Sequence, residues 1–80
     1  MIDVVEVRYL HDSVLWLRFD DGTEGEVDLK SQLWGEAFEP LNDPAFFPRV
    51  RLNADTGTIE WPNGADFAPE FLRVRIRVRA

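Results

Sequence analysis

The sequence contains no cysteine. That excludes disulfide staples, thiolate metal sites and cysteine nucleophiles, and it fits a reducing, cytoplasmic setting. Histidine occurs once, as His11. With no second nitrogen ligand beside it, a histidine-based metal centre is not expected, and its place in the short polar link His11-Asp12-Ser13 marks it as a solvent-facing loop residue. Ser13 and Ser31 are the only serines, and neither stands on a nucleophile elbow. Gly22, Gly25, Gly35, Gly57 and Gly64 are scattered among turns, so no phosphate-cradling loop is present. No apolar run approaches the roughly 18 residues of a membrane span. The opening Met-Ile-Asp-Val-Val-Glu-Val lacks the basic start and continuous apolar stretch of a secretory signal. These absences predict a protein that is not an enzyme, with no catalytic, metal-binding or cofactor-binding residues.

What is present is apolar bulk and unevenly placed charge. Eighty residues make one domain. A chain of this size buries only about 60% of its unfolded surface, so the three Trp and six Phe carry much of the available burial. The net charge is −6. Residues 1–72 hold all 15 acids and 5 bases, a balance of −10, whereas residues 73–80 hold Arg73, Arg75, Arg77 and Arg79 with no acid. The body, 1–72, reads as the domain, and 73–80 as a basic-apolar C-terminal strand or arm. The body repels phosphate backbones; only the tail attracts them.

The expected fold class is α+β, with one antiparallel sheet of two hairpin units (strands at about 2–10, 14–20, 23–28, 49–53 and 58–61) covered by short helices. Register follows from which pairing lets apolar residues meet. A three-residue loop after the first strand pairs Leu10 with Val14, Tyr9 with Leu15 and Val7 with Leu17. A three-residue loop with Gly22 in the left-handed position pairs Phe19 with Thr23, Leu15 with Val27 and Arg18 with Glu24. The second hairpin pairs Val50 with Trp61, Leu52 with Ile59 and Arg51 with Glu60. Between the hairpins, Asp28 caps a helical segment over 29–34 that ends at Gly35 and turns Leu29, Leu33 and Trp34 inward. Asp43-Pro44 opens a single turn that presents Phe46 and Phe47 and ends at Pro48.

The densest conformational punctuation lies in residues 56–72. Pro62 fixes its own φ and keeps Trp61 extended. Asn63-Gly64 readily takes positive φ, and Pro69 with Glu70 behind it opens a short helix. Asp66 reads as its cap, though Asp66, Glu70 and Asn63 together also make a candidate small-ligand site. Glu24, Glu26 and Asp28 alternate onto one strand face, which reads as a solvated face that blunts an edge or, less simply, as a cation site. The tail alternates Arg with Val74, Ile76 and Val78. It reads as a terminal strand, a solvated end, or an arm that pairs with a partner or with nucleic acid. The body's negative charge and the tail's lack of an aromatic weigh against nucleic acid.

Val5-Glu6-Val7 through Leu15-Trp16-Leu17-Arg18-Phe19-Asp20-Asp21-Gly22 resembles the start of the small bacterial domain-of-unknown-function 2442 family. Glu26-Val27-Asp28-Leu29, Phe38-Glu39-Pro40-Leu41, Asp43-Pro44-Ala45-Phe46-Phe47 and Gly57-Thr58-Ile59-Glu60-Trp61-Pro62-Asn63-Gly64-Ala65-Asp66 follow in the family's order. The resemblance spans residues 2 to about 72. It implies a compact α+β fold on antiparallel strands and a toxin–antitoxin accessory whose partner is a small protein encoded by a neighbouring gene. It supplies no catalytic set, only the signature turn Trp61, Pro62, Asn63, Gly64 and Asp66. The leading expectation is a non-catalytic module that binds a protein partner, or an antitoxin-like component, through that turn and through Arg73, Arg75, Arg77 and Arg79. The alternatives are a regulator that binds nucleic acid through the arm, a small-ligand domain at the turn, and a homodimer joined by the arm.

Overall fold

Alternating apolar and polar residues in the first third of the chain fold as three antiparallel strands, β1 (Val4–His11), β2 (Val14–Phe19) and β3 (Glu24–Asp28), hydrogen-bonded in that order. The computed structural model describes residues 2–77. A second, two-stranded sheet is made by β4 (Arg51–Asn53) and β5 (Thr58–Glu60), and one short helix, α1 (Pro69–Arg73), follows. Among the described residues no helix is long and apolar enough to cross a membrane.

The expected single sheet is therefore two. The Val4 N–H donates to the Gly57 carbonyl at 2.8 Å, so the second hairpin docks its turn on the start of β1. It does not extend the first ladder. The expected pairing of Val50 with Trp61 is also lost, for two local reasons. A 3-10 turn, Phe47–Arg49, occupies the approach to β4, and the Trp61 N–H is taken by the Ala65 carbonyl at 2.9 Å. The rest of that register holds: Arg51 lies opposite Glu60 and Leu52 opposite Ile59.

In the first sheet Tyr9 faces Leu15, Val7 faces Leu17, Leu15 faces Val27 and Arg18 faces Glu24, as the apolar matching requires. Gly22 has φ +86°. The Phe19 N–H donates to the Thr23 carbonyl at 2.8 Å, closing the three-residue loop. The first turn differs. His11, not Leu10, pairs with Val14, and the ladder shifts register between Tyr9 and His11. The spare residue is absorbed as a bulge, which keeps Tyr9 and Leu15 on one face and leaves Leu10 exposed. Leu15, Leu17, Phe19 and Val27 are buried and join Ile59, Trp61, Phe67 and Leu72 in one core. The opposite face is solvated. There Arg18 and Arg8 both pair with Glu6, at 2.8 and 2.9 Å, and Arg8 lies over Trp16.

The middle of the chain turns in 3-10 geometry where a helix was expected. Asp28 Oδ1 accepts from the Lys30 N–H at 3.0 Å, and only Lys30–Gln32 forms a turn. Leu33 then leaves helical geometry, at φ −90° and ψ 61°. Leu29 and Leu33 are buried as expected, but Trp34 projects outward and is 73% exposed. Residues Glu39–Asn42 make a further 3-10 turn. The Asp43-Pro44 turn forms, with the Phe46 and Phe47 N–H groups on the Asp43 carbonyl at 2.9 and 3.0 Å. Pro48 does not end it, because it sits early in the next turn, where a missing N–H costs nothing.

Gly57 and Gly22 both have positive φ, +71° and +86°, where an L side chain costs about 1–2 kcal/mol. A methyl group at Gly22 would enter open space, whereas one at Gly57 would run into the Asp3 carboxylate. Gly57→Ala is expected to lower the urea midpoint more than Gly22→Ala does, and adding Asp3→Ala is expected to narrow the gap. Acid stability offers a second measurement. Glu60 accepts from Asn53 Nδ2 at 2.6 Å and from Arg51 Nη2 at 3.0 Å. The Asn53 bond first, and Arg51 after it, hold the Glu60 carboxyl below its ordinary 4.5. A depressed carboxylate adds stability that is complete above the unfolded value and is lost as pH falls through the folded one. Denaturation followed from neutral to strongly acid pH is expected to show that loss, and Asn53→Ala is expected to flatten it.

Candidate functional site

The 61–66 turn is built from the inside outward. Trp61 is fully buried and its indole N–H donates to the Phe47 carbonyl at 2.8 Å, so it has no surface to offer a partner. Gly64, at φ +88°, lets its N–H reach back to the Trp61 carbonyl at 2.9 Å. Pro62, Asn63 and Gly64 are exposed. The Asn63 side chain is nevertheless tied into the fold: Oδ1 accepts from the Ala65 N–H at 3.1 Å, and Nδ2 donates to the Ala37 carbonyl at 3.0 Å. Asp66 is exposed and bridges to Glu60 through the backbone. It does not cap α1, whose N-cap is Ala68, with no side-chain bond. Pro69 at the first helical position supplies the start without a cap.

Among the described residues, Arg73, Arg75 and Arg77 of the tail do not form one arm. Arg73 is the last residue of α1, and the Arg75 N–H donates to the Leu72 carbonyl at 3.0 Å, so the helical course runs into the start of the alternating pattern. Buried Leu72 and half-buried Phe71 anchor that helix, and Val74 is left 78% exposed. Arg73 reaches the β2–β3 turn, with Nη2 on Thr23 Oγ1 at 2.9 Å and Nε on Asp21 Oδ2 at 3.3 Å. The Thr23 backbone N–H, followed by the Thr23 hydroxyl and Arg73, holds the Asp21 carboxyl below its ordinary value, against the opposing effect of burial. Arg75 lies 3.5 Å above the Phe71 ring, and its Nη1 donates to the Phe71 carbonyl at 2.9 Å. Arg77 exchanges both backbone hydrogen bonds with Glu26, at 2.7 and 3.0 Å, and so covers part of the outer edge of β3. Arg79 lies outside the described residues.

Between the 32–38 segment and the rings of Phe67 and Phe71 the chain leaves an apolar groove of about 430 Å³. Its floor is a stack of rings. Phe38 lies 4.8 Å from Phe67, and Phe67 lies 5.3 Å from Phe71, with interplanar angles of 29° and 16°. Arg75 closes the far end of the stack. Trp34, Glu36 and Ala37 form the other wall. That wall is held from two sides. Gly35, at φ +87°, turns the chain so that the Phe38 and Glu39 N–H groups meet its carbonyl at 3.1 and 2.9 Å. Asn63 grips Ala37, and Asn42 Nδ2 grips the Leu33 carbonyl at 2.8 Å. The turn thus supports the groove through Asn63, and none of residues 61–66 lines it. Sequence reasoning missed this surface by assigning Trp34 to the core. The usable signal was its position directly before Gly35, where a side chain projects past the end of its element.

The remaining candidates stay separate. His11 Nδ1 lies 3.1 Å from Asp12 Oδ2 in an exposed hairpin turn. Glu24 and Asp28 are exposed and Glu26 half-buried on β3. Among the described residues no group of three or more His, Asp or Glu side chains is placed to hold a metal ion.

A protein-family model described as "Protein of unknown function (DUF2442)" matches residues 4–77. The match runs past residue 72 and takes in Arg73, Arg75 and Arg77. No curated protein and no solved structure matches the chain.

If Asn63 braces the groove wall, Asn63→Ala is expected to cost about 1 kcal/mol in urea unfolding. It is also expected to speed hydrogen exchange at the Phe38 and Glu39 amides, which belong to the loop it holds.

Proposed function

The chain belongs to the DUF2442 family of proteins of unknown function, and we propose that it acts there as a non-catalytic α+β binding module that seats a partner polypeptide in the Trp34 groove. One observation carries this reading: Trp34 is 73% exposed at the mouth of an apolar cleft floored by stacked phenylalanines. Burying such a side chain would add on the order of 2–4 kcal/mol at about 25 cal/mol per Å². A small domain has little stability to forgo. A rigid, braced wall presenting an unburied Trp is the arrangement of an interface anchor, in which an aromatic residue meets a pocket at low ordering cost.

The geometry favours this over the alternatives. Arm-mediated nucleic-acid binding needs free cations, yet the Arg73 and Arg75 side chains are engaged within the fold. A small-ligand site at the turn needs the Asn63 amide, whose position is set by its bonds to Ala37 and Ala65 for bracing the groove wall. The partner is a small protein encoded by a neighbouring gene, and the accessory, antitoxin-like role is the capture of that protein.

Co-expression with that protein tests the proposal. The wild-type chain is expected to retain it through purification, Trp34→Ser to release it, and Trp16→Ser, on the solvated sheet face, to retain it. Trp34→Ser is expected to stay within about 0.5 kcal/mol of wild-type stability, as an exposed substitution does. Equal retention by all three proteins would refute the groove as the contact.

A further inference from the structure

The groove carries a sign of charge as well as an apolar floor. Among the described residues that line it, only Glu36 is charged. Glu39 follows Phe38 and Glu70 precedes Phe71, and both acids are exposed. Among the described residues the base beside the floor is Arg75, already engaged: its guanidinium carbon lies 3.5 Å from the Phe71 ring centre and its Nη1 bonds the Phe71 carbonyl. The whole chain has a net charge of −6, so its long-range field attracts cations. Arg75 also displays the chemistry that the ring stack accepts, a guanidinium on an aromatic face with its stem along apolar surface. Trp34 offers the same kind of face, the strongest of the aromatic side chains for a cation, in the wall that also holds Glu36.

We propose that the segment seated in the groove is cationic and aliphatic: an Arg or Lys of the partner polypeptide lies against Trp34 with its charged end at Glu36, and a neighbouring Leu, Ile or Val rests on the Phe38, Phe67 and Phe71 floor. This rests on the groove reading above and adds the occupant's chemistry. The Trp34 face and the Glu36 carboxylate select the cation, and the ring stack selects the aliphatic neighbour. An acidic segment of the same shape is repelled by Glu36, Glu39 and Glu70.

Calorimetric titration of the full chain with three synthetic peptides of equal length tests this. One alternates Arg with Leu, the second replaces each Arg by Glu, and the third replaces each Leu by Ser. Only the Arg-Leu peptide is expected to bind, more weakly at high salt. Glu36→Lys is expected to weaken it by about tenfold or more. Glu24→Lys, which changes the net charge equally at the exposed start of β3, is expected to weaken it by less than about twofold. Trp34→Ser is expected to abolish it. The proposal is overturned if the Arg-Leu peptide does not bind, if the Glu-Leu peptide binds as well, or if Glu36→Lys changes nothing. If both charged peptides bind and both are lost in Trp34→Ser, the occupant's charge is wrong and the groove reading stands. If Trp34→Ser leaves every titration unchanged, both fail. Light scattering that shows a Trp34-dependent dimer without peptide would place a second copy in the groove and overturn the cationic occupant.

Discussion

Trp61 must be dry and hydrogen-bonded at the same time, and the rest of the fold is arranged to allow both. Its ring is fully buried against Phe47 and Phe67, at 5.5 and 5.9 Å. An indole N–H left unpaired there would cost about 1–3 kcal/mol, so the Phe47 carbonyl has to be within reach. That requirement places the irregular segment between the two hairpins, since Phe47 belongs to it. The Trp61 main chain adds a second requirement. Its N–H closes onto Ala65, which ends β5 and commits the chain to the turn that Pro62, Asn63 and Gly64 complete.

Phe67 carries this order from the core to the surface. It meets Trp61 edge-on inside and Phe38 and Phe71 in parallel stacks outside. The groove floor is therefore an outward continuation of the core and shares its rigidity. The Asn63 bond to Ala37 couples the turn to the opposite wall across 26 residues of sequence. A preformed, braced surface of this kind loses little conformational freedom when a partner arrives. The residues most distinctive in the sequence, those of the 61–66 turn, brace the groove wall, and the less conspicuous Trp34 is the exposed ring at its mouth.

Much of the architecture was legible because independent signals agreed. The pairing of Leu15 with Val27 also aligned Arg18 with Glu24, and that of Leu52 with Ile59 also aligned Arg51 with Glu60; both registers are observed. Where one signal stood alone, it misled. Strict alternation suggested a strand from Arg73 onward, but Leu72, with no exposed surface, and the Pro69 start carry a helix through Arg73. Asp66 stood at a plausible capping distance, yet Pro69 made a side-chain cap dispensable. Helical spacing placed Trp34 inward, but a 3-10 turn three residues long ends before it.

Local patterning determined the strands, most of their registers, most of the core and the left-handed Gly22 turn, because each depends on residues a few positions apart. The absence of thiols and the single imidazole likewise narrowed the chemistry before any coordinates. Only the tertiary structure decided that the hairpins form two sheets and that Arg73, Arg75 and Arg77 divide among three anchorages. It also decided that rings from positions 34, 38, 67 and 71 meet around one groove. Those outcomes rest on contacts between segments far apart in the chain, where packing and hydrogen-bond satisfaction override what each segment prefers by itself.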